Sequence, residues 1–87
     1  MLSEQNSFTE MEYPLQFTYK VMGDDTEDFR DSVLAVFAMK EVLSVAERKS
    51  KSGKYVSLSV TVDIENHGEL KTYYEMISQI EGLKYHL

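Results

Sequence analysis

The stretch from Tyr55 to Ile64 constrains this chain more than any other. Over ten residues Val56, Leu58, Val60, Val62 and Ile64 alternate without a break with Tyr55, Ser57, Ser59, Thr61 and Asp63. A period of two places all five aliphatic side chains on one side and the hydroxyl-rich set on the other, the pattern of a strand buried on one face only. Such a strand needs a sheet beside it and something apolar above it. With 87 residues the chain can build one core around that strand. It has no cysteine, so that core must hold by packing, without disulfides or thiolate-bound metal.

The rest of the chain supplies the missing layers. Leu15, Phe17, Tyr19 and Val21 alternate with Gln16, Thr18, Lys20 and Met22 after Tyr13-Pro14, which predicts a first strand ended by Gly23. Asp24, Asp25 and Thr26 offer helix N-caps, with Glu27 three residues after Asp24 in a capping-box-like spacing. Phe29, Val33, Val36, Phe37 and Lys40 then follow helical spacing, with Ala35 and Ala38 filling gaps, and the helix is expected to end near Met39. Val42 to Ser50 reads as a second strand. Ser50-Lys51-Ser52-Gly53-Lys54 has the composition of a turn that leads antiparallel into Tyr55 to Ile64.

Asn66, with Glu69 three residues later, repeats the capping arrangement before the stripe Leu70, Tyr73, Tyr74, Ile77 and Ile80. Gly82 suits the C-cap of that helix, and Leu83, Tyr85 and Leu87 alternate with Lys84 and His86 as a last short strand. The order β-α-β-β-α-β predicts an α+β, ferredoxin-like sandwich: an antiparallel four-stranded sheet with two helices on one face. Residues 1–12 are polar and acidic without periodicity and are expected to form a flexible tail, leaving a single domain over residues 13–87.

Charge narrows the function classes. Fifteen acids against nine bases give a formal charge of −6, a field that repels nucleic acid and anionic membrane. Four of those bases, Arg48, Lys49, Lys51 and Lys54, nevertheless crowd one turn. Beside Tyr55 they make a candidate interaction surface, and otherwise a solvated loop. The first residues carry neither a basic nor an apolar signal segment, and no apolar run approaches a membrane span, so the expectation is a soluble cytoplasmic protein.

The inventory for catalysis is thin. His67 and His86 share no ligand spacing, no Gly-x-Ser-x-Gly elbow is present, and Asp24, Asp25, Glu27, Asp28 and Asp31 lack the glycine and glutamate spacing of a calcium loop. No cofactor and no metal are expected, and the chain reads as a non-enzyme. Acylphosphatases share the predicted topology but bind phosphate in the first strand–helix loop, where this chain has two aspartates against the helix end. RNA-recognition domains share it too. Here Tyr55 is the one aromatic of the stretch that would stack bases, and its register differs from theirs, so single-stranded RNA binding through Tyr55 and the basic hairpin stands as the alternative function.

The strand Pro14-Leu15-Gln16-Phe17-Thr18-Tyr19-Lys20-Val21-Met22-Gly23 and the hairpin Ser50 to Val60 resemble the YbeD-like family of small bacterial proteins. Tyr74 and the ending Glu81-Gly82-Leu83-Lys84-Tyr85-His86-Leu87 fit as well, so the resemblance spans about residues 13–87, with Phe-x-x-Lys-Val-Met-Gly its most specific part. Family members carry a Lys-Gly-Asn-Tyr-like turn where this chain has Ser52-Gly53-Lys54-Tyr55. The resemblance implies a fold close to ACT domains, the ligand-sensing modules of enzymes of amino-acid metabolism, and no established activity. Some members have been labelled regulators of lipoate metabolism. By the same likeness, an effector would lie near Lys20, Gly23, Asp24 and Asp25, at an interface with a second copy, its amine received by the two acids. A turn glycine followed by two capping acids is the plainer reading of the same residues. The expectation is a regulatory or protein-interaction module with a protein partner, or a homodimer formed at a sheet edge.

Overall fold

The computed structural model describes residues 12–86. The expected tail, apart from Glu12, lies outside them. Six elements follow in the predicted order: β1 (Leu15–Asp24), α1 (Glu27–Val36), β2 (Val42–Lys49), β3 (Tyr55–Ile64), α2 (His67–Ser78) and β4 (Leu83–His86). The sheet order is β2-β3-β1-β4, and every neighbouring pair is antiparallel. This is the ferredoxin-like arrangement, with β3 and β1 central and β2 and β4 at the edges.

The alternation in β3 does what a period of two requires. Val56, Leu58, Val60, Val62 and Ile64 are all buried, and their partners across β1 include Val21, Tyr19 and Phe17. Phe29, Val33 and Phe37 from the first helical segment, with Leu70, Tyr73 and Ile77 from α2, close the same core. Both helices therefore cover one face of the sheet, and the Ser/Thr face of β3 is left open.

Tyr19 joins the layers. Its ring is fully buried and lies 5.4 Å from Phe37, 5.0 Å from Tyr74 and 6.2 Å from Tyr73, centroid to centroid. Its hydroxyl donates to the Leu70 carbonyl at 3.0 Å, which removes the cost of burying that polar group. Burial pushes the Tyr19 phenol well above its ordinary range.

The helix ends differ from the sequence reading. The N-cap of α1 is Thr26, whose Oγ1 accepts from Phe29 N at 3.1 Å, and the Asp24 side chain takes no part. That helix stops at Val36 and unwinds through short turns, Phe37 N to Leu34 O and Ala38 N to Ala35 O, before Lys40. Ala35 and Ala38 are exposed and fill no gap. Lys40 instead donates to Glu69 of α2 at 3.0 Å. Asn66 caps α2 as expected, accepting from Glu69 N at 2.8 Å, while Glu69 reaches back to Glu65 N at 2.8 Å. The C-cap of α2 is Gln79, not Gly82. Gly82 sits in the following turn at φ +90°, a left-handed conformation that favours glycine.

Gly23 is buried for a different reason. The Phe29 ring lies against its Cα, and a Cβ there would also come within 2.7 Å of the Gly82 carbonyl. One close approach thus fixes the start of α1 and the α2–β4 turn to the end of β1. We expect Gly23→Ala to destabilise the domain by at least about 1–3 kcal/mol, the usual cost of overpacking where backbone must move. Urea unfolding measures it, and a change under 0.5 kcal/mol, the scale of an ordinary surface substitution, would contradict this packing.

Candidate functional site

Two regions that lie apart in sequence meet at one end of the sheet. The β1–α1 loop and the β2–β3 hairpin are tied by Asp25 N donating to the Lys54 carbonyl at 3.0 Å, and Asp24 stands opposite Tyr55 in the β1–β3 register. The hairpin is closed by Ser50 N to Tyr55 O at 2.9 Å and by Gly53 N to Ser50 O at 3.1 Å. The ligand-loop candidates Asp24 and Asp25 and the hairpin candidates Lys49, Lys54 and Tyr55 therefore belong to one surface, with buried Gly23 beneath it.

Asp25 is the hub of that surface. Its Oδ1 accepts from Arg30 at 2.5 Å and its Oδ2 lies 3.5 Å from Lys49 Nζ. Arg30 continues to Glu47 through two bonds, Nε to Oε1 at 3.1 Å and Nη2 to Oε2 at 2.9 Å. The fork geometry of a guanidinium suits such a bridge, which links β1–α1, α1 and β2. Hydrogen bonding from Arg30 holds both the Asp25 and Glu47 carboxyls below the usual carboxylate range. Burial pushes the Glu69 carboxyl up, but the Glu65 N–H and the Lys40 ammonium outweigh it and bring that group down as well.

Asp24 faces the open side of the sheet with Tyr55. Lys84 lies 3.8 Å from its carboxylate and sits over the Tyr55 ring, 5.8 Å from the centroid, so one face of that ring is already covered. Lys51 and Lys54 are exposed. Lys20 is not beside the loop aspartates: it projects from β1 onto the open face, where it shares a hollow of about 460 Å³ with Met22, Ala46, Arg48, Ser57 and Ser59. A second hollow, of about 280 Å³, is lined by Asp24, Thr26, Asp28, Phe29, Ser32, Glu81 and Gly82. Among the described residues no group of three or more His, Cys, Asp or Glu side chains is placed to hold a metal ion, and no helix is long and apolar enough to cross a membrane.

Residues 9–87 match the family described as "Protein of unknown function (DUF493)". The chain belongs to the DUF493 family. This is the YbeD-like group that β1 and the hairpin resemble. Among its bacterial relatives, a "UPF0250 protein" of Shewanella woodyi is 34% identical over 77 residues, covering 85% of this chain and 86% of the relative. A counterpart in Haemophilus influenzae is 30% identical over 76 residues, covering 85% and 83%. Among solved structures, protein HP0495 of Helicobacter pylori superposes with a TM-score of 0.74 at 20% identity, over 100% of this chain and 96% of that one. The ACT domain from GTP pyrophosphokinase of Chlorobium tepidum gives 0.69 at 10% identity, over 84% and 97%. The DUF493 chain thus has the ACT-like fold.

Sequence reasoning missed Arg30 and Glu47. Arg30 follows Asp25 by five residues across a helix start, and its second partner lies on another element, so neither spacing rule nor periodicity marks the trio. The network has a pH signature. Because the folded Asp25 and Glu47 carboxyls titrate below their unfolded values, their contribution is present above about pH 5 and is lost as pH falls through the carboxylate range. We expect the urea midpoint to be flat near neutrality and to drop below about pH 4.5, with the drop made shallower in Arg30→Gln. Parallel pH profiles for the two proteins would remove Arg30 from this role.

Proposed function

We propose that this DUF493 protein is a non-enzymatic regulatory module that works by pairing, its edge strand β2 joining that of a second copy. The observation that carries this reading is the exposure of β2. Seven of its eight residues are exposed, and Val42 alone is half-buried. On the helix-facing side Val45, opposite buried Val60, remains 47% exposed, because α1 is too short to cover it. Arg30 bridges from α1 to Glu47 on β2, so Leu34, one helical turn further along the same face, also projects toward this edge and is 42% exposed. An open strand edge bordered by apolar side chains invites another strand, and a two-fold axis lets the same patch serve both partners. A bulge between Val42 and Ser44 leaves the remainder of β2 regular for such pairing. The likeness to an ACT domain taken from an enzyme supports a regulatory role over a catalytic one.

Light scattering at concentrations up to several hundred micromolar tests this directly. A dimer is expected for the natural chain, and a folded monomer for Val45→Asp combined with Leu34→Asp. A monomer throughout, or a dimer indifferent to these substitutions, would sink β2 pairing.

A second reading concerns the smaller hollow. Asp24, Asp28 and Glu81 around it supply three carboxylates, and Asp28 and Glu81 are exposed without an ion-pair partner among the described residues. That chemistry suits the ammonium group of a small amine, such as a free amino acid, at the β1–α1 loop. A thermal-shift series over the amino acids should find a stabilising ligand whose effect disappears in Asp28→Asn with Glu81→Gln. No shift with any of them would end this reading and leave pairing untouched.

A further inference from the structure

We propose that the open face of the sheet carries a binding site for a phosphate-bearing small molecule, held between Lys20 and Arg48 above the hydroxyls of Ser57 and Ser59. The site goes beyond the pairing proposed above and does not depend on it. Its floor follows from register. Lys20 stands opposite Ser59 and Met22 opposite Ser57 on one side of β3, while Ala46 stands opposite Ser59 and Arg48 opposite Ser57 on the other. Lys20 and Arg48 are thus diagonal neighbours across β3. Two strand spacings of about 4.8 Å and a two-residue offset of about 7 Å put their Cα atoms roughly 12 Å apart. Both side chains are long enough to bend inward and meet over the small serines between them.

Three features separate this hollow from ordinary polar surface. The first is its charge. Arg30, Lys40, Lys49 and Lys84 each have a carboxylate partner, whereas Lys20, Arg48, Lys51, Lys54 and Lys71 have none among the described residues; of those five, Lys20 and Arg48 line the same hollow. With acids in excess, two unpaired cations left facing one concavity are available to an anion. Glu47 contributes to the lining, but its carboxylate is turned to the helix side and held by Arg30.

The second feature is a set of unused donors. Ser57 and Ser59 are half-buried and their hydroxyls have no partner among the described residues. One row along the same face, Thr18 and Thr61 satisfy each other at 2.8 Å. The third is shape. A volume of about 460 Å³ lies within the range of small-molecule sites, and Met22 and Ala46 give it an apolar flank. A guanidinium fork, an ammonium and two hydroxyls offer more donors than the two oxygens of a carboxylate need, and match the three free oxygens of a phosphate monoester. The apolar flank would take the organic part of that ester.

The probes are inorganic phosphate and phenyl phosphate, titrated at constant ionic strength into the full chain while backbone amide spectra are followed. Saturable shifts are expected at the amides of residues 20, 48, 57 and 59, with phenyl phosphate binding more tightly than inorganic phosphate. Lys20→Gln and Arg48→Gln should each weaken binding about tenfold, the equivalent of one charge-assisted hydrogen bond. Lys51→Gln should leave it unchanged, and so should Val45→Asp, which separates this site from β2 pairing. Shifts reproduced by chloride alone, or centred on Lys51 and Lys54, would overturn the site. Equal affinity for benzoate would overturn its assignment to phosphate. A short single-stranded RNA that binds more tightly than phenyl phosphate and loses affinity in Tyr55→Ala would replace it with a nucleic-acid surface.

Discussion

The buried hydroxyl of Tyr19 organises the molecule. A tyrosine at the middle of the central strand brings a large ring into the core, and its oxygen must find a partner once water is excluded. The Leu70 carbonyl in the first turns of α2 meets that need at 3.0 Å. The bond sets where α2 crosses the sheet, and so where Tyr73 and Tyr74 meet the Tyr19 ring. Phe37 completes the cluster, stacked on Tyr73 at 5.1 Å. Burial of the aliphatic row of β3 with the apolar residues of β1 and the helices drives folding, but it is non-directional. The tyrosine hydroxyl and the edge-on ring contacts give the two helices their positions.

With the helices fixed over β1 and β3, the limits of their coverage decide what the surface offers. α1 spans ten residues, about 15 Å, and the Arg30–Glu47 bridge ties its polar side to β2. Beyond Val42 the helix-facing side of β2 is left exposed, and no helix among the described residues covers the opposite face of the sheet. A domain of this size has too little chain to cover every edge and face. The exposed regions follow from that shortage, and binding surfaces are built where coverage runs out.

Much of the fold was legible in the sequence because strands announce themselves by a period of two. β3 begins and ends where its alternation does, and β1 differs from its expected range only by ending at Asp24 beyond Gly23. Helix ends were less legible because several residues compete for each cap. Asp24, Asp25 and Thr26 are all good N-caps, and what decided for Thr26 was the pairing of Asp24 with Tyr55 in the sheet, which extends β1 past the glycine. Gly82 looked like a helix cap but serves a turn three residues beyond one. The candidate site was legible only as parts. The sequence separates Lys20 from Arg48 by a helix and most of a strand, and only the β1–β3 and β2–β3 registers bring them to one hollow. The same registers move Lys20 away from Asp25, with which the likeness to ACT domains had grouped it.

The acidic loop and the cationic face also explain each other. In this topology the N-terminus of α1 would attract an anion, yet Asp25 occupies that end and is itself neutralised by Arg30 and Lys49. Anion binding at the loop would have to displace an internal ion pair, at the expense of the link between α1 and β2. Among the residues lining the hollow the one carboxylate, Glu47, is held by Arg30, and nearby Asp24 is drawn to Lys84. The pairing of acids with bases at that end therefore leaves Lys20 and Arg48 as uncompensated charge facing one hollow across β3. A surplus of carboxylates makes that arrangement selective. The surrounding negative field disfavours long polyanions at a distance, while a compact anion that reaches the hollow meets two cations at close range. Size and charge density, more than total charge, then govern what this face admits.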